Sequence, residues 1–202
     1  MSDAGERVYV VDDDEAMRDS LVWLLESHGI AVSAFASAAA FLEAYRADLR
    51  GCLVLDVRMP GMSGLELHER LKAGGATLPV VFVTGHGDVP MAVSALKRGA
   101  LDFVEKPFAE KDLLRLVRQA LERDRGQAEA RLRLAEVRRR LDSLTARERE
   151  VLALVVDGKP NKLVADELGI SPKTVEVHRA HLMEKMGVGS LAELVRSVLS
   201  VR

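Results

Sequence analysis

The chain has 202 residues, 48% hydrophobic and 30% charged, with a formal net charge of -2. That mixture is too apolar for a disordered segment, and no stretch nears the roughly 18 to 20 apolar residues of a membrane span. The small net charge averages unlike parts: acids and bases mix through Ala100, arginines crowd from Lys111 to Arg149, and more cations follow from Lys159 to Lys185. This asymmetry permits nucleic-acid binding without proving it.

Met1 to Glu6 lacks the basic region and apolar run of a signal peptide, so a cytoplasmic location is expected. Arg7 to Val11 reads as a strand, ending at the acidic turn Asp12-Asp13-Asp14-Glu15. Glu15 to His28 follows with Met17, Leu21, Leu24 and Leu25 at helical spacing, stopped by Gly29. Ile30 to Phe35 alternates as a strand, and Ser37 suits the cap of a helix through Tyr45. Gly51 to Asp56 is a buried strand delivering one carboxylate to its end. Its Cys52, the lone cysteine, excludes an intramolecular disulfide and fills core space.

Arg58 to Gly64 is a loop, and Ser63 opens a helix packing Leu65, Leu67 and Leu71. Pro79 to Val83, the helix Val89 to Arg98, and the strand Leu101 to Val104 complete five strand units. The alternation predicts a doubly wound parallel sheet, whose ligand crevice lies beyond the carboxyl ends of its strands. A long helix is expected from Glu110 to about Leu141. Its Leu134, Val137, Leu141 and Leu144 recur every three or four residues. A solvated linker helix with one apolar side and a dimer seam account for that spacing equally well.

From Leu144 the pattern changes to short helices. Thr145-Ala146-Arg147-Glu148 is a capping box. Asn161 is expected to cap a helix to Leu168, and Ser171-Pro172 opens another through Met186. Leu191 to Leu199 is the last. Domains are therefore expected at 1–124, at 143–202, and a helical linker at 125–142.

Asp12, Asp13 and Asp56 gather at strand ends with Thr84 and Lys106. Crowded carboxylates require a counter-ion, and Mg²⁺ accepts carboxylates together with phosphate oxygens. Asp56 is placed to attack phosphorus. Spacing alone does not separate phosphorylation from simple metal binding. Taken singly, the acidic turn is a helix cap, Thr84 a turn residue and Lys106 a solvated charge. A metal-dependent phosphatase is the rival reading. It needs an acid-base group, for which the loop residue His86 lacks an orienting partner.

Val10-Val11-Asp12-Asp13-Asp14, Leu55-Asp56-Val57-Arg58-Met59-Pro60-Gly61, Thr84-Gly85-His86-Gly87-Asp88 and Val104-Glu105-Lys106-Pro107-Phe108 resemble the signature blocks of response-regulator receiver domains over about residues 6–124. The resemblance implies a flavodoxin-like five-stranded fold with Asp56 as phosphoacceptor. It implies metal ligation by Asp12, Asp13, Asp56 and the backbone carbonyl of Arg58. Thr84 becomes a switch hydroxyl, Lys106 the phosphate-binding lysine and Phe103 a switch aromatic, although an aromatic before a loop is ordinarily core.

The helices flanking Gly169-Ile170-Ser171 form a helix-turn-helix, with Leu163, Ala165, Leu168, Ile170, Val175 and Leu182 assigned inward. Lys173, Arg179 and Lys185 suit phosphates, and Thr174, Glu176 and His178 suit base edges. A merely solvated helix is the sober alternative, and an adaptor acting through protein contacts alone is a third function.

Leu144 to Leu152, Asn161 to Ala165 and Ile170 to Arg179 resemble the DNA-binding domain of LuxR-type regulators. Together the two resemblances imply the NarL/FixJ class, leaning to the FixJ branch, with an all-α four-helix domain behind the receiver. DNA contacts are implied at Lys173, Thr174, Glu176, Val177, His178 and Arg179. Pro160 and Ala180 depart from common family residues, which blurs which sequence is read. The resemblance further implies a sensor histidine kinase, double-stranded DNA, a homodimer on phosphorylation, RNA polymerase contact and activation of transcription.

Overall fold

The computed structural model describes residues 5–85 and 89–201. The expected loop residues His86 to Asp88 and the start of the N-terminal segment lie outside them. The described residues divide into two compact units, one up to Gln127 and one from Ala128.

In the first unit the strands are β1 (Arg7–Val11), β2 (Val32–Phe35), β3 (Gly51–Asp56), β4 (Val80–Thr84) and β5 (Asp102–Glu105). They form a parallel sheet in the order β2-β1-β3-β4-β5. The helices α1 (Glu15–Ser27), α2 (Ala38–Ala44), α3 (Gly64–Ala73), α4 (Val89–Lys97) and α5 (Glu110–Asp142) follow successive strands. Parallel neighbours need such crossovers, and both sheet faces are covered as a result.

Strand alternation sorts the core into two layers. Val8, Val10, Cys52, Val54, Val81 and Val83 face α1 and α5, where Leu25, Leu113 and Leu116 are buried. Tyr9, Val11, Leu53, Leu55 and Phe82 face α2, α3 and α4, meeting Phe41, Leu67 and Ala95. This two-sided burial explains why β3 and β4 read as unbroken apolar runs. Each fully buried Leu or Phe contributes about 1.5–3 kcal/mol.

The second unit contains the later part of α5 and the helices α6 (Ala146–Val156), α7 (Asn161–Leu168), α8 (Pro172–Met186) and α9 (Leu191–Leu199). Val151, Leu152, Val164, Ala165, Val175, Leu182, Met186 and Leu194 are its core. Leu144 joins that core, and Val137 and Leu141 pack against it. Much of the apolar side expected on a linker or dimer seam is therefore covered by the unit's own helices. Leu163, expected inward, is 49% exposed, and Val164 takes the core position. Among the described residues no helix is long and apolar enough to cross a membrane.

Candidate functional site

Two sites follow from this scaffold. The first lies at the carboxyl ends of β1, β3 and β4. Asp12 directly follows β1, and its Oδ1 accepts from the Asp14 backbone N–H at 2.9 Å. Asp14 in turn caps α1 by accepting from the N–H groups of Ala16 and Met17. Asp56 is the last residue of β3. The next loop returns so closely that a Cβ on Gly64 would lie 2.0 Å from the Asp56 carbonyl oxygen. Only glycine admits that approach. Ser63 and Glu66 then form a capping box that fixes the start of α3.

Asp12 and Asp56 are buried while Asp13 is exposed, and one oxygen from each lies within 4.8 Å of the others. Lys106 Nζ donates to Asp12 Oδ2 at 3.1 Å and to Asp56 Oδ1 at 3.2 Å. Burial raises the Asp56 carboxyl above its ordinary range. The Lys106 ammonium opposes that rise, and the Asp12 charge reinforces it. Burial acts to lower Lys106, but its hydrogen bond to Asp12 and the Asp56 charge prevail and leave it raised. Three carboxylates and one ammonium leave two net negative charges, which a divalent cation cancels. The hard, all-oxygen donor set therefore fits such a metal ion.

Thr84 ends β4 fully buried, with its hydroxyl donating to the Gly85 carbonyl at 3.3 Å. Its own carbonyl accepts from the Lys106 N–H at 2.7 Å, which joins Thr84 to the lysine. Phe103 lies opposite Phe82 in the β4–β5 register and is partly buried against the layer containing α4. Arg58 is exposed in the loop after β3.

The second site is the α7–turn–α8 unit. Gly169 adopts the left-handed conformation at φ 63°, which permits the tight turn. Ser171 then caps α8 by accepting from the Thr174 N–H, with Pro172 in the first turn. Lys173, Glu176 and Val177 are exposed, whereas Thr174, His178 and Arg179 are half-buried. The Thr174 hydroxyl lies 2.8 Å from the Ser171 hydroxyl. Arg179 Nη1 donates to Asn161 Oδ1 at 2.5 Å.

Two local expectations change. Asn161 is the first residue of α7 and not its cap; Pro160 occupies the cap position without a side-chain bond. Lys185, expected to meet phosphates, donates to Glu148 Oε2 at 2.8 Å. Glu148 also accepts from the Thr145 N–H in the capping box of α6. The Lys185 hydrogen bond, followed by that backbone bond, holds the Glu148 carboxyl down at about 2. Arg147 Nη2 donates to the Leu168 carbonyl at 2.6 Å, tying α6 to the end of α7. Sequence reading recognised the Thr145/Glu148 box but had no signal for these cross-helix partners.

Residues 8–118 match the family described as the response regulator receiver domain. Residues 142–198 match the bacterial regulatory proteins of the luxR family. The chain is 53% identical to the transcriptional regulatory protein FixJ of Azorhizobium caulinodans, over 95% of this chain and 91% of that protein. It is 46% identical to the response regulator protein TodT of Pseudomonas putida, over 97% and 86% of the two chains. Among solved structures, the response regulator StyR superposes with a TM-score of 0.86 at 47% identity, covering 96% of this chain and 98% of that one. Full-length FixJ from B. japonicum gives a TM-score of 0.60 at 45% identity, covering 98% and 97%. The chain acts through phosphoryl acceptance and DNA binding and is not an enzyme in the ordinary sense. It belongs to the FixJ/NarL-type response regulators, phosphorylation-regulated transcription factors that join a receiver to a LuxR-type helix-turn-helix domain.

Proposed function

We propose that Asp56 is the phosphoacceptor, loaded by a partner sensor histidine kinase in the cytoplasm, and that its state controls how α8 engages DNA. The observation carrying this reading is the Lys106 ammonium held between Asp12 and Asp56. The Asp56 carboxylate attacks phosphorus, a phosphorus–oxygen bond forms, and the bond to the donor's leaving nitrogen breaks. Lys106 is placed to turn from the carboxylates to a phosphoryl oxygen, and Thr84 to give up Gly85 for another. Asp12, Asp13, Asp56 and the Arg58 carbonyl would hold Mg²⁺, which would supply positive charge to offset that on the phosphoryl oxygens.

Thr84 and Phe103 belong to neighbouring strands, so movement of the first opens room for the second to repack beside α4. Such a charge event biases a bistable surface. Homodimerisation follows in this reading because one small helical domain buries too little DNA surface for a unique site. The DNA-bound pair then contacts RNA polymerase and activates transcription. Lys173 and Arg179 meet phosphates; Thr174, Glu176, Val177 and His178 lie along the base edges.

The test is intact-mass measurement after incubation with acetyl phosphate and Mg²⁺. The wild type gains one phosphoryl group that maps to Asp56, and Asp56→Asn gains none. An adduct of equal extent in the mutant overturns the assignment.

A further inference from the structure

Arg179 and Asn161 form a pair that the DNA-binding reading leaves unexplained. Asn161 opens α7, where asparagine ordinarily serves as a cap. Here Pro160 holds the cap position, and the Asn161 amide oxygen instead accepts from Arg179 Nη1 on α8 at 2.5 Å. Both residues are half-buried. The contact spans the two helices of the helix-turn-helix, so it fixes a side chain of one by the side chain of the other's first residue.

The chemistry of the acceptor matters. Lys185, Lys159 and Arg147 in this unit each have a carboxylate partner, respectively Glu148, Glu167 and Glu150. Arg179 is held by a neutral amide. A guanidinium stays charged at any accessible pH. An amide takes one of its five donors and none of its charge, leaving a fork that suits a phosphate. Fixing the rotamer beforehand also reduces the freedom lost on binding.

We propose that Asn161 is a positioning residue for DNA binding, holding the Arg179 guanidinium in place for a phosphodiester while leaving its charge uncompensated. This rests on the DNA-binding reading of α8. An aspartate at the same place keeps the hydrogen bond but cancels the charge, so positioning and charge are separable by substitution. Because Asn161 is not the cap, alanine there leaves the start of α7 intact, and alanine is a good helix former.

The experiment uses the full chain phosphorylated with acetyl phosphate, a duplex selected from a random pool by the wild type, and a scrambled duplex. Affinity is measured against salt for wild type, Asn161→Ala, Asn161→Asp, Arg179→Ala, Lys173→Ala and the Asn161→Ala/Arg179→Ala double variant. Asn161→Ala and Arg179→Ala each lose roughly three- to tenfold on both duplexes, and their salt slopes flatten by about one phosphate contact. The double variant binds no more weakly than Arg179→Ala, Asn161→Asp flattens as far as Arg179→Ala, and melting temperatures stay at the wild-type value. Loss in the double variant equal to the product of the single losses overturns the proposal, as does an unchanged slope in Asn161→Ala. If Lys173→Ala weakens binding while Arg179→Ala and Asn161→Ala match the wild type, this proposal alone falls. If the wild type selects no duplex, the DNA-binding reading falls and takes the proposal with it.

Discussion

Lys106 Nζ stands 3.2 Å from Asp56 Oδ1, with the lysine side chain 23% exposed and that of the aspartate 10% exposed. The pair holds a carboxylate whose burial disfavours its charge, and it does so with a group that the backbone bond to Thr84 fixes in place. Removing one partner of a shielded ion pair leaves the other uncompensated. Lys106→Met therefore destabilises the receiver by about 1–3 kcal/mol, less than a fully buried pair because the site is partly open. Added Mg²⁺ restores much of the loss, since a ligand of the folded state alone stabilises it by mass action. Thermal melts of both proteins with EDTA and with Mg²⁺ measure this. Equal melting temperatures in EDTA contradict it.

Glu148 links two features of the second unit, the capping box of α6 and the Lys185 ammonium of α8. Its carboxyl is held down from 4.5 to about 2. A depressed acid contributes stability that is complete above the unfolded value and disappears as pH falls through the folded one. Stability of this unit thus declines from about pH 4.5 towards pH 2. Glu148→Gln flattens that decline, and Glu148→Ala costs about 1–3 kcal/mol at neutral pH through the lost cap and pairing. Urea unfolding followed across this pH range reads both effects.

His68 on α3 is buried edge-on against Phe82, with ring centroids 5.6 Å apart. Burial, then the charge of Lys72, lowers its pKa from 6.5. The unfolded chain takes up the proton more readily, so this group costs the receiver stability as pH falls below about 6.5. Replacing it by leucine removes that part of the pH dependence. Receiver melting between neutral and mildly acidic pH is the check; parallel curves for wild type and His68→Leu argue against it.

Val177 is 48% exposed on α8, between Glu176 and the half-buried His178. An exposed apolar side chain on a groove-facing helix suits a thymine methyl group. Val177→Ala relaxes discrimination at one base pair by about 1 kcal/mol, and changes folding stability by less than about 0.5 kcal/mol. Selection of bound sequences from a random pool reveals the relaxed position. An unchanged preference at every position refutes this placement of Val177.

Strand-terminal chemistry was legible in the sequence because period and position coincide. An apolar run that ends in Asp56, or in Thr84, delivers its last side chain to the sheet edge whatever the packing details. Ser63 as the start of α3 and the Thr145/Glu148 box were equally local. What escaped depends on tertiary partners. Leu163 and Val164 are adjacent apolar residues, and only the packing of α7 decides that Val164 turns inward. Asn161 carried the signature of a cap, but the chain entered α7 one residue earlier and left its amide for Arg179. Asp124 is likewise unremarkable in sequence, yet it accepts from Arg50 Nε and the Gly51 N–H across 73 or more residues.

Phosphorylation of Asp56 is proposed to govern DNA engagement. Sedimentation with a labelled selected duplex, in Mg²⁺ with and without acetyl phosphate, tests it on the wild type and Asp56→Asn. Phosphorylation is predicted to shift the wild type to a dimer with tighter site-specific binding and to leave Asp56→Asn unchanged. If both proteins respond alike, or neither does while the wild type carries phosphate on Asp56, control through this aspartate is contradicted.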